Sequence, residues 1–278
     1  MKAKRVAAAL LAAACVAVVG AAAGFAGCAE GEIKALKFNG VEATVANVEN
    51  GSYTLSRPFI VCYQSYDGLN AAAKDFVNYI FSSAAQTEVA DEGYIAVEAK
   101  EYTTDTTASG TVKISGSTSV GPLMQNLVGM YESVNPNVRI TVNQNGSGSG
   151  ITEATDGTVD IAMSSRDLTT DEEASLEWQK IATDGIAIIV NAKSDLDNVT
   201  TAQLKALYED GTGFEGILAG ISRESGSGTR SAFEELVGIE KNYTGVGFDS
   251  YNSTNAVISA IKSNSAANKI GYISLGAL

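Results

Sequence analysis

Residues 221–230 read ISRESGSGTR, and the seven residues after them, SAFEELV, have apolar positions at helical spacing. Gly226 and Gly228 let the backbone turn so that several N–H groups point one way. The helix that follows adds its free N–H groups and the positive end of its dipole. Ser227 and Thr229 add hydroxyls, and Arg223 adds a planar fork suited to two oxygens. This chemistry suits a tetrahedral oxyanion. A single loop of this kind is equally well read as a capped surface turn.

Three further loops repeat the chemistry. Residues 115–120, SGSTSV, lie between a strand at 112–115 and a helix at 122–133. Residues 145–150, NGSGSG, follow a strand at 138–142 and precede another helical stretch. Residues 163–166, MSSR, follow a strand at 159–162 and precede a helix with Asp171, Glu172 and Glu173 in its first turn. In open α/β sheets, ligands bind beyond the carboxyl ends of the strands. Four loops of one chemistry point to one shared ligand rather than to four unrelated caps.

Composition narrows the function. The chain has 278 residues, enough for two lobes, and a formal net charge of −13. So acidic a chain lacks the basic face that nucleic acid needs. It also repels a small anion at long range, but salt screens that beyond about 8 Å, so local dipoles decide binding. There is no His, which excludes a Ser-His-Asp triad. There is no GxxxxGK[ST] motif and no clustered metal ligand set, so catalytic, metal and cofactor sites are all expected to be absent.

The first five residues, MKAKR, are basic, and residues 6–29 carry no charge. This reads as an export signal, with a retained membrane helix as the alternative. Cys15 leaves with the signal. Cys62, in the apolar run 59–63, reads as a small core residue without a disulfide partner.

In chain order, 33–41 reads as a strand into a turn at Asn39-Gly40, and 45–53 as a short element with a turn at Asn50-Gly51. Residues 57–63 read as a buried strand and 70–89 as one helix, with 91–97 closing that unit. Residues 99–110, AKEYTTDTTASG, lack apolar periodicity and read as a linker. After the strand–loop–helix units come a buried strand at 185–191, a short helix at 201–208, a helix at 255–263 and a strand at 269–275. The alternation predicts an α/β fold with mostly parallel sheets.

At these motifs the chain resembles the phosphate-binding proteins of bacterial ABC transporters, the PstS family. The resemblance is carried by SGSTSVGPLM, the strand ending at NGSGSG, DIAMSSRDL, ISRESGSGTR and NKIGYISLGAL, with NGVEATVANVENGSYTLSRPFIV and DEGYIAV. It implies a two-lobed, type II periplasmic-binding-protein-like fold with a two-strand hinge and the ligand in the cleft. In the family, the segment similar to 35–97 follows the GYISLGAL-like strand; here it comes first, so the resemblance implies a circularly permuted order. One lobe is then 56–190, the other 191–278 with 33–55, and 99–110 joins the family's usual termini.

The resemblance also implies the ligand set. Thr118 and Ser119 match the first loop, Ser147 the second (with Ser149 as the alternative), Ser165 the third, and Arg223, Ser227, Gly228 and Thr229 the fourth. Many family members carry an Asp where this chain has Ser165, and that Asp is held to accept the proton-bearing phosphate oxygen. Its replacement bears on selectivity between phosphate and sulfate. Arg166 is read as a second cation at the anion or as an interlobe salt bridge, with the latter favoured. Residues 25–28, FAGC, resemble a lipobox, which implies cleavage after residue 27 and lipidation of Cys28; simple cleavage is the alternative. The implied function is a monomeric, lipid-anchored, extracytoplasmic receptor that captures inorganic phosphate and delivers it to an ABC permease. A receptor for sulfate or molybdate, or a non-transport scaffold or sensor, are the alternatives.

Overall fold

The computed structural model describes residues 32–240 and 248–278. The apolar leader and Cys28 lie outside the described residues. The chain opens with β1 (Ile33–Ala35), β2 (Lys37–Phe38), α1 (Val45–Glu49) and β3 (Ser56–Tyr63). Two helices, α2 (Ala71–Ile80) and α3 (Ser83–Asp91), and a short β4 (Ile95–Ala96) follow. The series β5 (Gly110–Gly116), α4 (Gly121–Val134), β6 (Val138–Gln144), α5 (Ser147–Thr155), β7 (Ile161–Ser164) and α6 (Thr170–Ser175) leads to β8 (Glu177–Asn191). After it come β9 (Asn198–Val199), α7 (Thr201–Asp210), β10 (Ala219–Arg223), α8 (Gly228–Val237), β11 (Asp249–Tyr251), α9 (Thr254–Ser263) and β12 (Lys269–Ser274).

The main sheet runs β11-β10-β12-β8-β3-β7-β5-β6, and β1 and β4 also pair with β8. Each end of the sheet is parallel: β5 pairs with β6 and β7, and β10 with β11 and β12. The middle is antiparallel, which departs from the mostly parallel expectation. There β3 pairs with β8 from Ser56↔Gly185 to Tyr63↔Glu177, because β3 carries the chain into one half of the sheet and β8 carries it out. The far end of β8 pairs with β12 on one side and β1 on the other. An Ile186 N–H donates to Leu55 O where the two strands cross between the halves.

Two apolar cores divide at these crossings. One gathers Leu36, Leu55, the 186–190 stretch of β8, Leu204, Phe233, Ile261 and Tyr272. Phe233 and Tyr272 stack there with centroids 4.0 Å apart. The other gathers Phe59, Phe76, Val112, Leu127, Tyr131 and Ile161. Each such side chain contributes about 1.5–3 kcal/mol on burial. Cys62 is buried in a small third cluster beneath α5, and burial pushes its thiol up to about 12, so it is a protonated core residue.

Three sequence expectations are revised. The single helix over 70–89 is two helices, because Ser82 leaves helical geometry and its hydroxyl accepts the Ala85 N–H as the cap of α3. β8 begins at Glu177, eight residues before the expected strand at 185, because its first four residues, EWQK, are mostly solvent-facing and polar. Residues 99–110 have little regular structure, yet they are pinned down. The Asp75 carboxylate accepts from Tyr102 Oη, the Asp105 N–H and Tyr131 Oη, and Asn135 Nδ2 donates to Asp105 O and Ala108 O.

Candidate functional site

The four Ser/Gly/Thr loops meet at the strand ends between the two halves of the sheet. Local chemistry sets each one. Gly116 ends β5 at φ +137, and a Cβ there would strike the Met163 backbone, so the first and third loops approach as only glycine allows. Ser117 Oγ then accepts from the Ser119 and Val120 N–H groups and closes the turn into α4. α5 starts at Ser147 after Gly146 (φ +99), with no side-chain cap, and its Gly150 packs against the backbone of 115–116. α8 starts at Gly228, capped by Ser227, whose hydroxyl accepts the Arg230 N–H.

The sequence-predicted residues come together. Arg223 Nη2 donates to Thr118 Oγ1 at 3.0 Å, and the Ser119 and Thr229 hydroxyls lie 2.9 Å apart. Ser165 Oγ receives the Ser117 hydroxyl proton at 2.9 Å and lies 3.4 Å from Ser147 Oγ, which also accepts the Ser165 N–H. A Cβ on Gly228 would collide with Ser147 Oγ and crowd Ser165 Oγ. The Gly148 N–H donates to Gly226 O across the two halves. Thr118, Ser119, Ser147, Ser165, Arg223, Ser227, Gly228 and Thr229 are all buried. Ser149, the alternative to Ser147, is exposed on the outer face of α5.

Arg223 is the central cation. Glu224 holds it with both oxygens, Oε2 to Nε at 2.8 Å and Oε1 to Nη2 at 2.9 Å, and Tyr251 O accepts from Nε. Its Nη1 is buried and has no hydrogen-bond partner among the described residues. A buried charged donor of this kind calls for an acceptor, since leaving it unmet costs more than the roughly 1–3 kcal/mol of a neutral group. The hydroxyls around it both donate and accept. Together they can bind a small multivalent oxyanion through many short donors.

Arg166 takes neither of its expected roles. It pairs with Glu172 through two 2.7 Å bonds, and α6, which carries Glu172, belongs to the same half of the sheet. Hydrogen bonding from Arg166 holds the Glu172 carboxyl below its ordinary range. Thr169 and Glu172 form a capping box, a Thr-x-x-Glu signal that the sequence carries and that accounts for Glu172's position.

Three participants escaped the sequence reading. Thr254, at the start of α9, is buried with its hydroxyl 3.2 Å from Ser119 Oγ. Glu224 reads as an ordinary loop acid until its bidentate grip on Arg223 is seen. Arg57 reads as a strand residue, yet its Nη1 donates to the carbonyl of Ser165.

A family model described as a PBP superfamily domain matches residues 102–277. The phosphate-binding protein PstS 2 of Streptococcus agalactiae serotype V is 41% identical over 179 residues, which is 63% of this chain and 60% of that protein. This chain thus spans about three-fifths of the length of such relatives. A crystal structure of a phosphate ABC transporter phosphate-binding protein from Streptococcus pneumoniae is 39% identical, with a TM-score of 0.56, covering 64% of this chain and 69% of that one. A phosphate-bound substrate-binding protein of a putative phosphate ABC transporter from Clostridium perfringens is 37% identical, with a TM-score of 0.56, covering 59% and 70%.

Proposed function

The chain belongs to the PBP superfamily, within the PstS family of phosphate-binding proteins, and on that premise we propose that it captures inorganic phosphate between the two halves of its sheet and delivers it to an ABC permease. The observation that carries the reading is Arg223: a buried guanidinium whose Nη1 lacks an acceptor among the described residues and whose Nη2 meets Thr118, at a buried cluster in which hydroxyls of the four loops touch one another. Micromolar binding needs about 8 kcal/mol. Hydrogen bonds to a charged group contribute roughly 1.5–3 kcal/mol each. The Arg223 fork, the loop hydroxyls and the helix N-termini reach that figure after the costs of ordering and closure.

In this proposal the halves are lobes, 56–190 and 191–278 with 33–55, and they close over the anion by bending where β3 and β8 cross. Residues 35–97 stand in for the segment that relatives carry after the β12-like strand, so the order is permuted. Support comes from the family match, which begins at 102, and from β1 and β3, which pair with β8 along the edge opposite β12 and complete the sheet there. The protein works as a monomer outside the membrane, held by lipid on Cys28, and has no catalytic role.

Calorimetry on residues 29–278 stripped of anion, titrated with phosphate and then sulfate, tests the reading. Tight phosphate binding supports it, and heat from neither anion removes it. A broader oxyanion receptor is the second reading. It is favoured by Ser165, a hydroxyl at the heart of the cluster, and by Glu224, the carboxylate nearest Arg223, whose oxygens are both engaged by that arginine.

A further inference from the structure

We propose that Arg57 is a positioning residue for this site: it fixes the Ser165 loop to the two crossing strands. The inference rests on the oxyanion reading of the loop cluster. Arg57 lies on β3 directly opposite Asp184 on β8. Its Nε and Nη2 both donate to Asp184 Oδ2, at 3.0 and 2.9 Å, and its Nη1 donates to Ser165 O at 3.3 Å. The side chains of the pair are 1% and 0% exposed. One guanidinium therefore ties together β3, β8 and the loop after β7.

Ser165 is held from the other side as well. Its N–H donates to Ser147 Oγ, and its own Oγ receives the Ser117 proton. With Arg57 on the carbonyl, the peptide and the hydroxyl of Ser165 are fixed in one orientation toward Gly228 and the fourth loop. A buried ion pair is a poor device for stability, because apolar residues of similar volume often serve as well or better. The third guanidinium nitrogen is what an apolar pair cannot supply. A lysine cannot supply it either: its single ammonium lacks the fork that reaches Asp184 and Ser165 together. Arg57 also lies within electrostatic reach of Arg223, whose charge adds to burial in pulling the Arg57 guanidinium down; an anion beside Arg223 relieves that repulsion.

The test uses residues 29–278 with two variants, Arg57→Lys and the apolar swap Arg57→Met/Asp184→Leu. Phosphate affinity is read by calorimetry, and hydrogen exchange of the 163–167 amides is read in the ligand-free protein. Both variants are expected to bind phosphate about tenfold or more weakly, to exchange the Ser165 amide faster, and, for the double variant, to melt no lower than the parent. Parental affinity and parental exchange in a folded variant overturn the proposal. If the double variant does not fold, Arg57→Lys decides by the same two readouts. If the parent binds no phosphate, the oxyanion reading falls while the exchange data still decide whether Arg57 orders the loop.

Discussion

Arg223 and Thr118 meet across the middle of the molecule, Nη2 to Oγ1 at 3.0 Å, although 105 residues separate them. The donor ends β10 in one half of the sheet, and the acceptor precedes α4 in the other. The same guanidinium is gripped by Glu224 and retains a buried Nη1 that is unmet among the described residues. Replacing Arg223 with Ala is expected to weaken phosphate binding by about 2 kcal/mol or more. Unchanged calorimetric affinity would take Arg223 out of the site.

Gly228 separates helix stability from binding. It occupies the first turn of α8 without a positive φ, so Ala there is conformationally acceptable and favours the helix by up to about 1 kcal/mol. The added Cβ, however, lands on Ser147 Oγ and Ser165 Oγ. Where the ligand-free halves part as proposed, that clash is not felt, so Gly228→Ala is expected to leave the melting temperature of the ligand-free protein at or above the parent while lowering phosphate affinity. Small-angle scattering should show no compaction on adding phosphate. Normal affinity with normal compaction defeats this reading.

In the proposed site, Ser165 is expected to set the response to anion protonation. Its hydroxyl can turn to donate or accept, so phosphate affinity should follow the monobasic-to-dibasic ratio only weakly between pH 6 and 8. Placing a carboxylate there by Ser165→Asp is expected to cost sulfate several kcal/mol through like-charge contact and to spare protonated phosphate. Titrations of both anions at several pH values check this. A steep pH dependence in the parent means another group accepts the proton.

Glu172 links stability to acid. Its carboxyl is held below the ordinary range, first by hydrogen bonds from Arg166. The group therefore contributes stability above its unfolded value, and that contribution is lost as pH falls through the folded one. Glu172→Gln keeps the capping geometry but removes the charge, so it should cost about 1 kcal/mol or less at pH 7. Denaturant melts of parent and variant should converge as pH falls through the folded value.

Much of the site was legible because each loop is local. Strand, Ser/Gly run and helix follow one another within a few residues, so the four loops, with Arg223, Ser227 and Thr229, could be named from the pattern, while Thr118, Ser147 and Ser165 came from the family resemblance. Thr254 could not: the strand before it, β11, has three residues, and its neighbours lack the Gly-rich signal. Only the parallel pairing of β11 with β10 brings Tyr251 and Thr254 to Arg223 and Ser119. Arg57 was hidden for a similar reason, since its partner Asp184 lies 127 residues away. The pairing of Arg166 was within reach, because Glu172 had been read as a first-turn acid only six residues on. The break between α2 and α3 was hidden because Phe76, Val77, Ile80 and Phe81 keep an unbroken apolar rhythm up to Ser82.

The early strands β1 and β3 have their partner, β8, more than a hundred residues downstream, as the separation of Arg57 from Asp184 shows. Pairings this distant close large loops before any contact rewards them, which slows folding. Among the described strands β1 is made before the β8 it pairs with, so its place in the sheet waits on a strand made much later. A ribosome-bound fragment ending before β8 can pair β3 with β7 and β5 with β6 and β7, but it holds β1 without its partner and lacks the strand that joins the two halves.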